Sequence, residues 1–190
     1  MKKTLIIFFC SLVLFSCEEG PLIENYKIEG ISIGDTLFDF MSEKEILKQI
    51  NNPLVSYDNL DPPRKYLQIF KYDGLETYSR ISIFVENGDK KYIIQGIEGE
   101  LKNSSIEECL EEKSKTIEEF DILFKEESRV SNFDSASQST PGGFIYEHDY
   151  FLNTSDVVSI QCFEAPGFTV HNSLIVSLQR NVLHDWLVVK

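Results

Sequence analysis

Three histidines and the carboxylates near them are the side chains best suited to acid–base or metal chemistry. His148 stands between Glu147 and Asp149, a composition that suits a metal ion or a proton relay. The segment around it alternates as a strand, and alternation sends both carboxylates to the face opposite His148. His184 and Asp185 are adjacent on a short helical segment, where neighbouring side chains do not face each other. His171 lies in a loop near Cys162, so a Cys–His nucleophile pair is conceivable, but only with a free and exposed thiol. The chain carries no GxSxG elbow, no phosphate-cradling glycine loop and no zinc-binding helix motif. No catalytic residue, metal ligand or cofactor is therefore assigned. A hydrolase or metal-dependent enzyme using His148 or His171 stays open as the alternative.

The amino terminus carries a signal of another kind. Lys2 and Lys3 precede an uncharged apolar run, Leu5 to Phe15. At ~1.5 Å per residue that run reaches only about half of a ~30 Å hydrocarbon core, so it reads as a targeting segment. Leu14-Phe15-Ser16-Cys17 resembles the lipobox of bacterial lipoproteins. The resemblance implies a signal peptide over residues 1–16, a diacylglyceryl group on the Cys17 sulfur and acylation of the new amine. Two or three acyl chains would hold the protein firmly, since each buried CH₂ contributes ~0.8 kcal/mol. Glu18 is not the aspartate that retains lipoproteins at the inner membrane, which implies the outer membrane. The pair Glu18-Glu19 also resembles the surface-export signals of some lipoproteins.

Loss of Lys2 and Lys3 with the leader takes the formal charge from −13 to −15. Such a surface repels nucleic acid and anionic headgroups, and no Lys/Arg cluster offsets it. The expected contacts are the membrane, through the lipid, and another envelope protein or a glycan. Cys10 leaves with the leader and Cys17 takes the lipid. Cys109 and Cys162 then remain as an even pair in an oxidising compartment. Cys109 lies on the apolar stripe of a long helix, and Cys162 on the Val158-Ile160-Cys162 face of a strand. Both sulfurs thus point into one helix–sheet interface, and a disulfide is expected there. In the chain-entropy model that bridge contributes about 4 kcal/mol.

The elements that position these residues follow from patterning. Residues 17–27 read as lipidated cysteine and tether, and 28–190 as one domain. Lys27 to Ile33 reads as a first strand, followed by a turn at Gly34-Asp35. Ser42 and Glu45 form a capping box that opens a helix over Glu43 to Ile50. Asn51 to Lys65, with three prolines, is a loop. Tyr66 to Lys71, Tyr78 to Val85 and Lys91 to Leu101 are strands, with Asn87-Gly88 as a turn signal. Gly96 and Gly99 point to a bulge or to close packing beneath a helix.

The longest helix runs from Ile106 to about Glu127, capped by Asn103-Ser104-Ser105, and it lays its apolar stripe across the sheet. Ser128 to Gly143 is polar and serine-rich and reads as a mobile loop. Phe144 to Phe151, Asp156 to Glu164 and Ser173 to Gln179 are strands, and Asn181 to Leu187 is a terminal helix. Phe144, Tyr146 and Tyr150 share a strand face that serves as core or, if exposed, as an aromatic platform. The fold class is α+β: an antiparallel sheet of about five to seven strands packed by one long helix and one or two short ones.

One further resemblance lies in residues 33–53. Ile33-Gly34, then Met41-Ser42-Glu43-Lys44-Glu45-Ile46, then Asn52-Pro53 resemble the start of the small outer-membrane lipoproteins that help assemble β-barrels. The spacing departs between Gly34 and Met41, and no glycine precedes Pro53. The resemblance implies an accessory role in barrel assembly. The main expectation is an envelope lipoprotein, lodged in the outer membrane, whose domain is a non-enzymatic binding, structural or assembly module.

Overall fold

The computed structural model describes residues 22–55, 57–124, 128–136, 143–164 and 172–188. The leader, Cys17, the tether as far as residue 21, residues 137–142 and the loop 165–171 with His171 lie outside the described residues.

The chain is α+β, with a seven-stranded antiparallel sheet and three helices, one of them long. In chain order the elements are α1 (Glu43–Asn51), β1 (Tyr66–Lys71), β2 (Arg80–Glu86) and β3 (Ile94–Asn103). Then come α2 (Ile106–Phe124), β4 (Ser128–Ala136), β5 (Phe144–Leu152), β6 (Val157–Glu164), β7 (Asn172–Gln179) and α3 (Asn181–Leu187). The strand order is β1-β2-β3-β7-β6-β5-β4. Two meanders therefore meet at the β3–β7 pair, and α2 carries the chain from β3 to the far edge.

Strand alternation sorts the side chains onto two faces. One face turns Ile69, Ile83, Ile97, Leu174, Val176, Leu178, Ile160 and Tyr150 against α1, α2 and the amino-terminal segment, and all eight are buried. Cys109 of α2 and Cys162 of β6 are joined in this interface, their Cα atoms 6.0 Å apart. The other face carries α3. There Leu183 and Trp186 pack on Tyr66 and Phe84, and the indole N–H donates to the Pro62 carbonyl at 2.8 Å.

Gly96 explains how closely α3 sits. A Cβ at this position would come within 2.3 Å of Leu183 Cδ2. The strand register also shifts opposite it, between Phe84 and Val85. Close packing beneath a helix and a bulge thus occur together.

The Ser42–Glu45 capping box forms with both of its reciprocal bonds. Two local expectations are corrected. Lys27 to Ile33 is a tight turn rather than a strand, with Ile28 and Ile31 pairing around Glu29 and Gly30. Those two residues take φ of 51° and 77°, which closes a two-residue turn instead of extending the chain. The turn is anchored by the Glu29 carboxylate, which accepts backbone N–H bonds from Glu76, Thr77 and Tyr78 at 2.9, 2.6 and 3.0 Å. Ser128 to Ala136 is the edge strand β4 rather than a loop, paired along its length with β5. An edge strand needs backbone pairing on one side only, so polar side chains suffice and the serine-rich composition conceals it.

Candidate functional site

The face that carries α3 becomes mainly polar beyond the helix. Beyond the helix, register assembles a polar row across six strands: Ser82, Glu98, Ser177, Ser159, Asp149 and Ser131. The next row runs Arg80, Glu100, Ile175, Gln161, Glu147 and Phe133. Ser82, Ser159, Ser177 and Asp149 are all buried, an unusual composition for the middle of a sheet. The serines are small enough to leave a depression between the carboxylates.

A cavity of about 230 Å³ opens there, between Glu98, Glu147, Gln161 and Gln179 on the sheet and Leu187 and Val188 at the end of α3. Glu147 accepts from Ser159 Oγ at 3.1 Å and from the Gln161 amide. Gln179 Nε2 approaches Glu98 Oε1 at 3.5 Å, and its Oε1 lies 3.2 Å from His184 Nδ1. His184 therefore joins the cavity through the Gln179 amide. Burial holds the His184 imidazole below its usual range, so it is neutral at pH 7.

Glu98 and Asp149 are less well supplied with donors than Glu147. Burial pushes the Glu98 carboxyl up to about 7, against a partial pull from Arg80. Burial first, and then the charge of Glu147 two residues away, pushes Asp149 up to about 7 as well. Asp149 is only 6% exposed, and its Oδ1 is buried with no hydrogen-bond partner. A buried oxygen without a donor costs free energy. The guanidiniums on this face make few bonds to these carboxyls, and the buried Arg80 Nε has no hydrogen-bond partner. Arg80 pairs with Glu100 at 2.6 Å and lies over the Phe70 ring, and Arg129 lies over the Phe151 ring.

The residues singled out from sequence divide between the two faces. His148 points to the α2 side, where Nδ1 meets Asn132 Oδ1 at 2.6 Å and the ring packs against Tyr150. Burial, assisted by Lys113, holds His148 below its usual range, so it is a neutral packed histidine. Its neighbours Glu147 and Asp149 point to the opposite face. Tyr150 is fully buried and donates to the Ile117 carbonyl and Asp121, so the Phe144-Tyr146-Tyr150 face is core at its centre. Among the described residues no three His, Cys, Asp or Glu side chains converge as a metal site.

A larger hollow of about 400 Å³ lies between α1 and the edge strand β1. Its polar groups serve structure. The Gln49 amide bonds both backbone groups of Phe70, at 2.9 and 2.8 Å, and so closes the open sheet edge. Glu45 is spent on the capping box.

Sequence reasoning identified Glu147 and Asp149 only as neighbours of His148, and it did not find Glu98, Ser159, Gln161 or Gln179. Their convergence depends on register across four strands, and no local signal in the sequence marks it. No protein-family model, curated protein or solved structure matches this chain.

Proposed function

We propose that the protein is a lipid-anchored envelope lipoprotein, held at Cys17 in the outer membrane, whose domain is a non-enzymatic binding module. In this reading the polar sheet face beside α3 is the surface that meets the partner. One observation carries it: a row of buried serines with one buried carboxylate, Asp149, whose Oδ1 is unpaired, occupies a position that a fold alone would fill with apolar side chains. The lipobox resemblance and the paired cysteines in an interior interface support the envelope address.

The binding role is tested by site-specific photocrosslinking in intact envelopes. A photoreactive residue at Phe133, on the rim of the polar face and 57% exposed, should give a discrete adduct. The same residue at Ile122, on the outer side of α2 and 85% exposed, should give none. Adducts from Ile122 alone would reject the assignment of the face. Labelling with radioactive palmitate should disappear in Cys17→Ser, and labelling that persisted would reject the anchor.

A further inference from the structure

We propose that the cavity between Glu98, Glu147 and the end of α3 binds an aliphatic organic cation, an alkylammonium group with a short hydrocarbon stem. The inference rests on the binding-module reading and names its ligand chemistry.

The lining supplies acceptors on one side and aliphatic surface on the other. Glu98 and Glu147 bring carboxylate oxygens, the Gln179 and Gln161 amides hold them through Nε2, and Leu187 and Val188 form the flank. A ligand that donates hydrogen bonds, carries positive charge and has a hydrocarbon stem matches each of these features. Beside the lining, Asp149 follows Glu147 on the same face of β5, and its buried Oδ1 has no donor, so acceptors on this patch outnumber the donors that serve them.

The register separates Glu98 from Glu147 by three strand steps, about 14 Å across the sheet at ~4.8 Å per strand. Both nonetheless line one cavity, so a ligand with two cationic ends can meet a carboxylate at each. The volume, about 230 Å³, equals about eight waters at ~30 Å³ each, enough for a small diamine or a lysine side chain. A bare divalent cation fits less well, because no three acidic or histidine side chains converge among the described residues.

The test is calorimetric titration of the full-length protein in neutral detergent with putrescine and, separately, with N-acetyl-lysine amide. Saturable one-to-one binding of either compound is the expected result, weakened at least tenfold in both Glu98→Gln and Glu147→Gln for putrescine and in one of the two for the singly charged lysine amide. Putrescine alone would identify a free diamine, and the lysine amide alone would identify a lysine side chain of a partner. Glu111→Gln, in an exposed ion pair on α2, should change nothing.

Val188→Lys guards against loss of fold in the buried variants. Val188 is exposed, and a tethered ammonium there should abolish binding while leaving the unfolding transition intact. No binding of either compound, binding indifferent to all three cavity variants, or displacement by equimolar Mg²⁺ would overturn the proposal. Failure here with Phe133 adducts retained would remove the ligand class alone. Loss of the adducts would remove the binding face itself.

Discussion

On the α2 side of the sheet, Tyr150, Ile160, Cys162 and Val176 meet Cys109 and Phe124, and every large side chain has apolar neighbours. On the α3 side the same strands turn out Asp149, Ser159, Gln161 and Ser177, and apolar packing stops at Leu183 and Trp186. The first face is what hydrophobic burial builds by itself. The second keeps charge in a place where charge is costly. Side-chain parity alone thus gives the same strands one apolar face and one polar face.

Substitutions on the α2 face should carry the largest effects. Tyr150→Ala should cost about 3–5 kcal/mol in urea unfolding, from the cavity left behind. Tyr150→Phe, which removes only the bonds to Ile117 and Asp121, should cost about 1 kcal/mol. Cys162→Ser should cost on the order of 4 kcal/mol, and reductant should then have no further effect on stability. Equal losses from Glu147→Gln would erase the contrast between the faces, since that change should fall within about 1 kcal/mol.

The contact between α3 and the sheet sets the next scale. Gly96→Ala should cost about 1–3 kcal/mol, because its Cβ collides with Leu183. In a double-mutant cycle with Leu183→Ala the cost should shrink by at least about 0.5 kcal/mol. Simple additivity would place the strain elsewhere. A smaller loss, about 1 kcal/mol, is expected from Ser42→Ala at the capping box.

The polar face should also write a pH signature. Glu98 and Asp149 bind protons more tightly in the folded chain than at their ordinary values of 4.5 and 3.8. Folding therefore takes up protons between those values and about 7, and stability falls as pH rises through that window. Glu29 and Asp89 act oppositely, since backbone N–H bonds hold their carboxyls low and their contribution is lost on acidification. Stability should peak at about pH 5. The charged or titratable groups near the two raised carboxyls are Arg80, Glu100, Glu147 and Lys113, with His184 joined to Glu98 through Gln179. In the Glu98→Gln, Asp149→Asn double variant the decline toward pH 8 should flatten.

Legibility in the sequence followed the same division. Strong local signals placed α1, β1 and α3 nearly to the residue, and the α+β class followed from them. The stripe of α2 and the parity of Cys162 pointed at one interface because helix and strand periodicities are local properties. The edge strand β4 escaped notice because an edge needs no apolar face, and Ile28–Ile31 misled because a turn can hold isoleucines. The polar row was illegible for a different reason. Glu98, Ser177, Ser159 and Asp149 lie far apart in sequence, and only pairing register brings them into line.

The most direct test of this account is a ¹³C side-chain carboxyl titration of Glu98 and Asp149 by NMR, with and without saturating putrescine. Both carboxyls should titrate near neutrality in the free protein and move toward their ordinary range once the cation is bound. Ordinary titration in the free protein, or no movement with putrescine, would contradict the claim that this face stores uncompensated charge for a cationic partner.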